Sequence, residues 1–279
     1  MISFREVEYV YPSGIKALDR IDLEIERGEV VAVMGENGAG KTTLLKHLNG
    51  LLKPTRGKVL IDGLDTKEAT VAELARTVGL VFQNAEDMFF SGTVWEEVAF
   101  ALKNFGYDEK IVKRRVEWAL SFMELKEYAD SSPFLLSGGE KKRLALAIIL
   151  AWAPEVIALD EPTTGQDQLQ KEKLAQMIRL LREQKRTIII STHDIEFVAQ
   201  LKPRILLMKR GRIVADGNAE EILLDEELLE SCNLLLPQIA SLTRSLSFLG
   251  IKPSLKHPRE VAEELVNTLR ERFTYSPKG

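Results

Sequence analysis

An α/β fold built around a buried, largely parallel sheet is what this sequence predicts, and three observations carry the prediction. Short apolar runs begin at Val30, Val78, Val156, Thr187 and Arg204, each of a length and composition suited to a strand of the core. A glycine-rich turn, GENGAGKT at Gly35 to Thr42, follows the first run and opens a segment with helical spacing, Thr43 to Leu52. That is the context a phosphate-binding loop requires. The run Val156 to Glu161, VIALDE, ends in two adjacent carboxylates, which at a strand's C-terminal end would face the phosphates.

Taken in order, residues 1 to about 30 alternate short strands with turns at Pro12-Ser13-Gly14 and Arg27-Gly28, and Lys58 to Asp62 continues the pattern. These predict an antiparallel piece beside the phosphate loop. In that loop the glycines let the backbone curl until its N–H groups point at phosphate oxygens, and the helix N-terminus adds its dipole. Gly35, Asn37, Gly38, Ala39, Gly40, Lys41, Thr42 and Thr43 form the predicted cradle. Lys41 reaches the terminal phosphates and the Thr42 hydroxyl can ligate Mg²⁺.

Gln83, at the end of the Val78 run, offers a neutral amide to a metal-bound water and opens a segment able to move when the γ-phosphate leaves. A mostly helical stretch follows, over Val94 to Leu102 and Asp108 to Met123, and LSGGE at Leu136 to Glu140 starts a further helix through Arg143 to Leu150. Alone, Ser137-Gly138-Gly139 is an ordinary helix cap. Placed between the other two motifs, its N–H groups and hydroxyl read as a second anion-binding turn. Asp160 is expected to hold Mg²⁺ through water, and Glu161 to act as general base for the water that attacks the γ-phosphate. Pro162-Thr163-Thr164 makes a sharp exit. His193 follows the β-branched strand Thr187 to Ser191, where a ring N–H can bond the γ-phosphate; His47 and His257 read as structural.

From Asn218 the sequence reads as helices, with Ile239, Leu242, Leu246 and Leu249 at helical spacing before Gly250, and Val261, Leu265, Leu269 and Phe273 after Pro258. The expected division is a nucleotide-binding domain over 1–216, with a helical subdomain at about 85–153, and a helical element over 217–279. Composition sets further bounds. At 45% hydrophobic the chain can bury one large core. A net charge of −4 gives no footprint for nucleic acid. Leu144 to Ala153 is the longest apolar stretch, too short to span a membrane. No charged leader or apolar signal region opens the chain, and the single cysteine, Cys232, excludes an internal disulfide and suits a small buried apolar position.

With these motifs in this order, the chain resembles the ATPase subunit of an ATP-binding-cassette (ABC) transporter over roughly residues 1 to 216. The resemblance implies a P-loop NTPase of the ABC ATPase type: a RecA-like core with an antiparallel β piece and a helical subdomain, here with a small helical C-terminal domain. It implies that Tyr11 stacks on adenine, that Gln83 is the Q-loop glutamine and that Ser137, Gly138, Gly139 and Glu140 belong to the signature. Asp167 is then the D-loop aspartate and His193 the switch histidine. ATP and Mg²⁺ would lie between two subunits, the phosphate loop of one facing the signature of the other. Gln166 stands where an aliphatic residue is usual, which puts contact across that interface in question.

Two stretches resemble the ATPases of energy-coupling factor (ECF) transporters: Gln83 to Val94 with Val98-Ala99-Phe100, and Leu236-Pro237-Gln238-Ile239 with Leu242 and Gly250. Ala85 stands where proline is usual and Met88 where glutamine is. This resemblance implies uptake of a vitamin or transition-metal ion at the cytoplasmic face of the membrane. The implied partners are a second ABC ATPase, identical or related, an integral membrane coupling subunit and a separate substrate-binding membrane protein. Met88, Phe89 and Phe90 cannot all face one core in any regular element, so an exposed member is expected there to meet the coupling helix of the membrane subunit. The apolar faces of the tail are expected to pair with a neighbouring subunit. The alternatives are the ATPase of a conventional importer or exporter, and a soluble ABC protein acting on nucleic acid or ribosomes. Such soluble proteins usually carry two cassettes or a long coiled coil, and this chain has one cassette and only a short stretch from Gln83 to Leu136.

Overall fold

The computed structural model describes residues 1–274. β1 (Ile2–Val10) and β2 (Lys16–Ile25) pair antiparallel. Along β2, Ile21, Leu23 and Ile25 are buried while Asp22 and Glu24 face water, the two-residue alternation of a sheet with one wet face. β3 (Val30–Met34) is instead buried at every position and leads into α1 (Lys41–Leu48). β4 (Arg56–Ile61) and β5 (Leu64–Asp65) complete a four-stranded antiparallel sheet in the order β2-β1-β4-β5. After α2 (Val71–Leu74), opened by a capping box between Thr70 and Glu73, comes β6 (Val78–Val81).

A helical layer follows, α3 (Val94–Asn104), α4 (Glu109–Phe122) and α5 (Gly138–Trp152). Val98 and Leu102, Val116 and Leu120, and Leu144 and Ile148 share one buried cluster, each pair four residues apart on one helix face. β7 (Val156–Asp160), α6 (Gln168–Glu183), β8 (Thr187–Thr192), α7 (Ile195–Leu201), β9 (Arg204–Lys209) and β10 (Arg212–Asn218) finish the second sheet. Its order is β10-β9-β3-β8-β7-β6. The five strands expected from the apolar runs are mutually parallel, and β10 runs antiparallel on the edge. β10 shows no apolar run because its residues alternate between exposed and half-covered.

The tail folds as α8 (Ala219–Leu223), α9 (Glu226–Ser231), α10 (Gln238–Ser245) and α11 (Pro258–Thr274). Ile222, Leu223, Leu229 and Cys232 pack in one cluster with Ala32 and Met34 of β3 and Ile205 and Leu207 of β9. This half of the tail is therefore a cover for the parallel sheet, and removing it would expose strands buried on both faces. The row expected from Ile239 to Leu249 is not one helix. α10 stops at Ser245, a single 3₁₀ turn holds Ser247–Leu249, and Gly250 ends it at φ 93°. The Thr243 hydroxyl bonds back to the carbonyls of Ile239 and Ala240 and accepts the Ser254 N–H, pinning the returning chain to α10. Ile239 is half-covered by the chain's own core and Leu242 is exposed. On α11, Val261 is buried and Leu265 and Leu269 half-buried, while the side chain of Phe273 lies outside the described residues.

Candidate active site

Because β3, β6, β7 and β8 are parallel, their C-terminal ends share one edge of the sheet, the edge at which open α/β sheets bind ligands. Gly35, Gln83, Asp160-Glu161 and His193 leave the strands there. A cleft of about 580 Å³ opens beside them, lined by Tyr11, Asn37, Gly38, Gly40, Lys41, Thr42, Thr43, Gln83 and Glu161, with Ser13 and Ile15 from the β1–β2 turn and Lys16 and Ala17 from the start of β2.

The loop needs its glycines. A Cβ on Gly35 would sit 2.2 Å from the Met208 carbonyl oxygen, and one on Gly40 would sit 2.5 Å from that of Ala17, at φ values of 148° and 105°. Both are backbone contacts that cannot give way. Between them Asn37 and Gly38 are exposed at the cleft, and Ala39 packs into the core. Lys41 is buried and folds back, its Nζ donating to the carbonyls of Gly35 at 2.8 Å and Glu36 at 3.2 Å. The ammonium is thus held inside the ring of the loop, where phosphate oxygens would meet it together with the N–H groups of a helix start.

Thr42 Oγ1 donates to Asp160 Oδ1 at 3.0 Å, and the Ser191 hydroxyl donates to the same oxygen. One hydroxyl and one buried carboxylate are hard oxygen donors, too few for an all-protein cage. Among the described residues no group of three or more His, Cys, Asp or Glu is placed to hold a metal. That set fits Mg²⁺, which keeps most of its waters and takes phosphate oxygens alongside one or two protein ligands.

Glu161 is the most constrained residue of the site. It is buried and takes φ 46°, a left-handed conformation that costs a non-glycine residue about 1–2 kcal/mol and is found where a site over-determines it. Its N–H is held by the Ser191 carbonyl at 3.0 Å and the Ser191 hydroxyl at 3.2 Å. One carboxylate oxygen, Oε2, accepts from His193 Nδ1 at 2.9 Å. The other, Oε1, lies 3.3 Å from Lys41 Nζ as an ion pair, yet is buried without a hydrogen bond. An unsatisfied buried carboxylate oxygen in a cleft-lining residue is suited to accept from a water.

His193 is about half exposed and lines a recess with Glu36 and Asn37 that adjoins the cleft at the phosphate loop. Its neighbour Asp194 caps α7, accepting the Phe197 N–H at 3.0 Å, and pairs with Lys171 at 2.5 Å. Burial pushes the Asp194 carboxyl upward, but Lys171 and the Phe197 N–H outweigh it and hold the group below the usual carboxylate range. His193 is therefore fixed between a strand end and a capped helix.

Tyr11 stands at the cleft mouth. Its hydroxyl shares a 3.0 Å hydrogen bond with Thr43, and its ring meets Tyr9 edge-on at 4.9 Å. Gln83 lines the same cleft and is exposed. Ser137, Gly138, Gly139, Glu140 and Asp167 are not among the cleft-lining residues. Ser137 caps α5 in a capping box with Glu140, whose Oε2 accepts the Ser137 N–H at 2.8 Å and hydroxyl at 2.7 Å. The Ser137 contacts, hydroxyl first, hold the Glu140 carboxyl below its ordinary value. Asp167 caps α6 through the Gln170 N–H at 2.8 Å.

Sequence reasoning missed Ser191, which fixes both carboxylate-bearing residues; a small polar residue closing an otherwise β-branched buried strand is the signal for it. It also missed Ile15, whose exposed side chain lines the cleft near Tyr11.

The model of the ABC transporter family matches residues 18–164. The energy-coupling factor transporter ATP-binding protein EcfA of Methanothermobacter thermautotrophicus is 43% identical over 275 residues, covering 96% of this chain and 88% of that protein. Among solved structures, cbiO1 from Clostridium perfringens, part of the ABC transporter complex cbiONQ, superposes with a TM-score of 0.73 at 35% identity over 87% of this chain and 98% of its own. The ATP-binding cassette MJ0796, in a dimeric post-hydrolysis state bound to ADP and Pi, gives 0.72 at 32% identity, covering 78% of this chain and 99% of that one.

Proposed function

Because the chain belongs to the ABC transporter family and is an ATP-binding ATPase, we propose that it powers an ECF-type transporter from the cytoplasmic face of the membrane. Two copies, or this chain and a related one, close on two ATP molecules, and the cycle moves an integral membrane coupling subunit that serves a separate substrate-binding membrane protein. Vitamins and transition-metal ions are the cargo classes of that type. Its support is the likeness to EcfA along 96% of the chain and to a subunit of cbiONQ. Among the described residues no helix is long and apolar enough to cross a membrane, so the work would pass to the membrane through a docking surface.

In this reading Tyr11 stacks on the adenine, Asn37, Gly38, Ala39 and Thr43 help cradle the phosphates, and Lys41 neutralises charge on the terminal ones. Thr42, Asp160 and Gln83 would hold Mg²⁺ directly or through water, and Mg²⁺ supplies charge neutralisation at the phosphates. Glu161 takes the proton of the attacking water at Oε1, and His193 orients Glu161 while its other ring nitrogen faces the γ-phosphate. Ser137, Gly138, Gly139 and Glu140 lie away from the cleft of their own chain, which suits a signature that completes the site of the partner, with Asp167 at the same junction.

The observation that carries the hydrolytic part of the proposal is the buried Glu161 carboxylate with one oxygen held by His193 and the other unbonded beside Lys41. Glu161→Gln keeps the shape and the His193 contact but removes the base. Turnover should fall about 10²- to 10⁴-fold while ATP affinity stays near wild type. Undiminished hydrolysis in this variant would remove Glu161 from the role.

A further inference from the structure

Near its start, after Gly138-Gly139-Glu140, α5 carries three consecutive basic residues, Lys141, Lys142 and Arg143. Successive helical residues point about 100° apart, so the three reach different parts of the molecule. Lys141 pairs with Glu86, in the segment after Gln83, at 2.6 Å. Arg143 Nε donates to the Met123 carbonyl, just past α4, at 3.0 Å. Lys142 goes the third way, its Nζ donating to the Thr164 carbonyl in the loop between Glu161 and α6.

That loop is a short, internally hydrogen-bonded connection to Glu161. The Thr164 N–H donates to the Glu161 carbonyl at 3.3 Å and the Gln166 N–H to that of Thr163 at 3.0 Å. The Glu161 N–H is itself anchored on Ser191. A displacement of Thr164 is therefore passed through one hydrogen bond and the intervening peptide units to Glu161, itself anchored on Ser191 at φ 46°. The Lys142 stem lies in a cleft of about 290 Å³ between the helical layer and α6, with Met123, Leu146, Pro162, Gln166 and Met177 around it. Burial there lowers the ammonium's pKa, opposed by the field of the Glu161 carboxylate. Among the described residues no carboxylate lies within salt-bridge range of Lys142, and its ammonium bonds the loop carbonyl of Thr164.

We infer that Lys142 is a positioning residue that ties the start of α5, where the chain would meet the partner's nucleotide, to the loop carrying its own Glu161. Engagement of Ser137 to Glu140 on one nucleotide would thereby set the general base at the other. This inference rests on the two-subunit reading of the site given above. The link acts on the hydrolytic step and leaves binding of ATP by the single subunit untouched.

The test is Lys142→Met, which keeps the apolar stem and removes the donor and charge, with Lys142→Arg as the conservative variant. In Lys142→Met, kcat should fall about 10-fold, equivalent to about 1.4 kcal/mol, with ATP affinity of the isolated subunit within about twofold of wild type. Lys142→Arg should recover most of the loss, and both variants should melt within a few degrees of wild type. In a Glu161→Gln background, ATP should still drive dimer formation in Lys142→Met. Wild-type kcat in Lys142→Met overturns the inference. So does a loss of kcat that Lys142→Arg, folded and ATP-binding, fails to recover. Absence of an ATP-driven dimer in Glu161→Gln alone, with Lys142 intact, is instead a failure of the two-subunit reading.

Discussion

His47 makes the acid stability of this protein predictable from geometry. The residue lies on α1, one turn after the Thr43 that closes the phosphate loop, with no exposed surface and its ring edge-on to Tyr9 at 5.0 Å. Nδ1 is 2.7 Å from the Thr43 carbonyl oxygen, which can only accept, so the neutral ring carries its proton on Nδ1. A second proton would have to go on Nε2, which is buried with no hydrogen-bond partner. Burial accordingly pushes the His47 pKa down from 6.5 to about 4, against the raising influence of the Thr43 bond. The sign follows from the direction. With a folded value below the unfolded one, the unfolded chain binds the extra proton first, so the stabilisation is complete above 6.5 and is lost as pH falls towards 4. Between about pH 7.5 and about pH 4.5 the loss from this one group is about 2.5 kcal/mol, a large part of the stability of an ordinary domain. Urea unfolding at a series of pH values, for wild type and His47→Gln, isolates it, because glutamine can still donate to Thr43 but does not titrate. Wild type should lose about 2.5 kcal/mol more than the variant over that range. Parallel curves for the two proteins would show that the ring is not kept neutral by its surroundings.

Four further outcomes follow from the site and its surface. Ser137→Arg places a bulky cation at the start of α5 and should leave ATP binding to one subunit intact while abolishing the ATP-driven dimer and hydrolysis; a dimer on size exclusion with ATP would refute it. Glu140→Gln preserves the capping box but removes a carboxylate held ionised beside the helix N-terminus proposed to meet the partner's nucleotide, so the ATP-driven dimer should tighten by about 3- to 10-fold, on the scale of one partly screened charge; weaker dimers by ultracentrifugation would contradict this. Phe90 is 60% exposed and meets the exposed Phe100 at 4.5 Å, whereas Phe89 is buried, so Phe90→Asp should keep the fold and ATPase activity and lose co-purification with the membrane component. Phe89→Asp should lower stability by more than about 3 kcal/mol, measured by urea unfolding.

The sequence by itself determined the five parallel strands, because strands covered on both faces must be apolar throughout and so stand out as runs. It also determined the phosphate loop and the two carboxylates, because each uses residue types that few other structures tolerate at that spacing. It showed that Met88, Phe89 and Phe90 could not all be buried, but local pattern cannot say which one is outside; the core contacts of α3 and α5 decided that it is Phe90. The tail's periodicity at Ile239 to Leu249 and Val261 to Phe273 marked faces for a neighbour, but it gave no sign that the residues before them, Ile222, Leu223, Leu229 and Cys232, cover the chain's own sheet. Nor does local pattern reveal that Ser191 binds Asp160 and Glu161, that Lys142 reaches Thr164, or that the Ser137 hydroxyl is engaged by Glu140. The Ser191 and Lys142 contacts join residues more than twenty positions apart, and only packing of the sheet and helical layer sets the directions in which those side chains point.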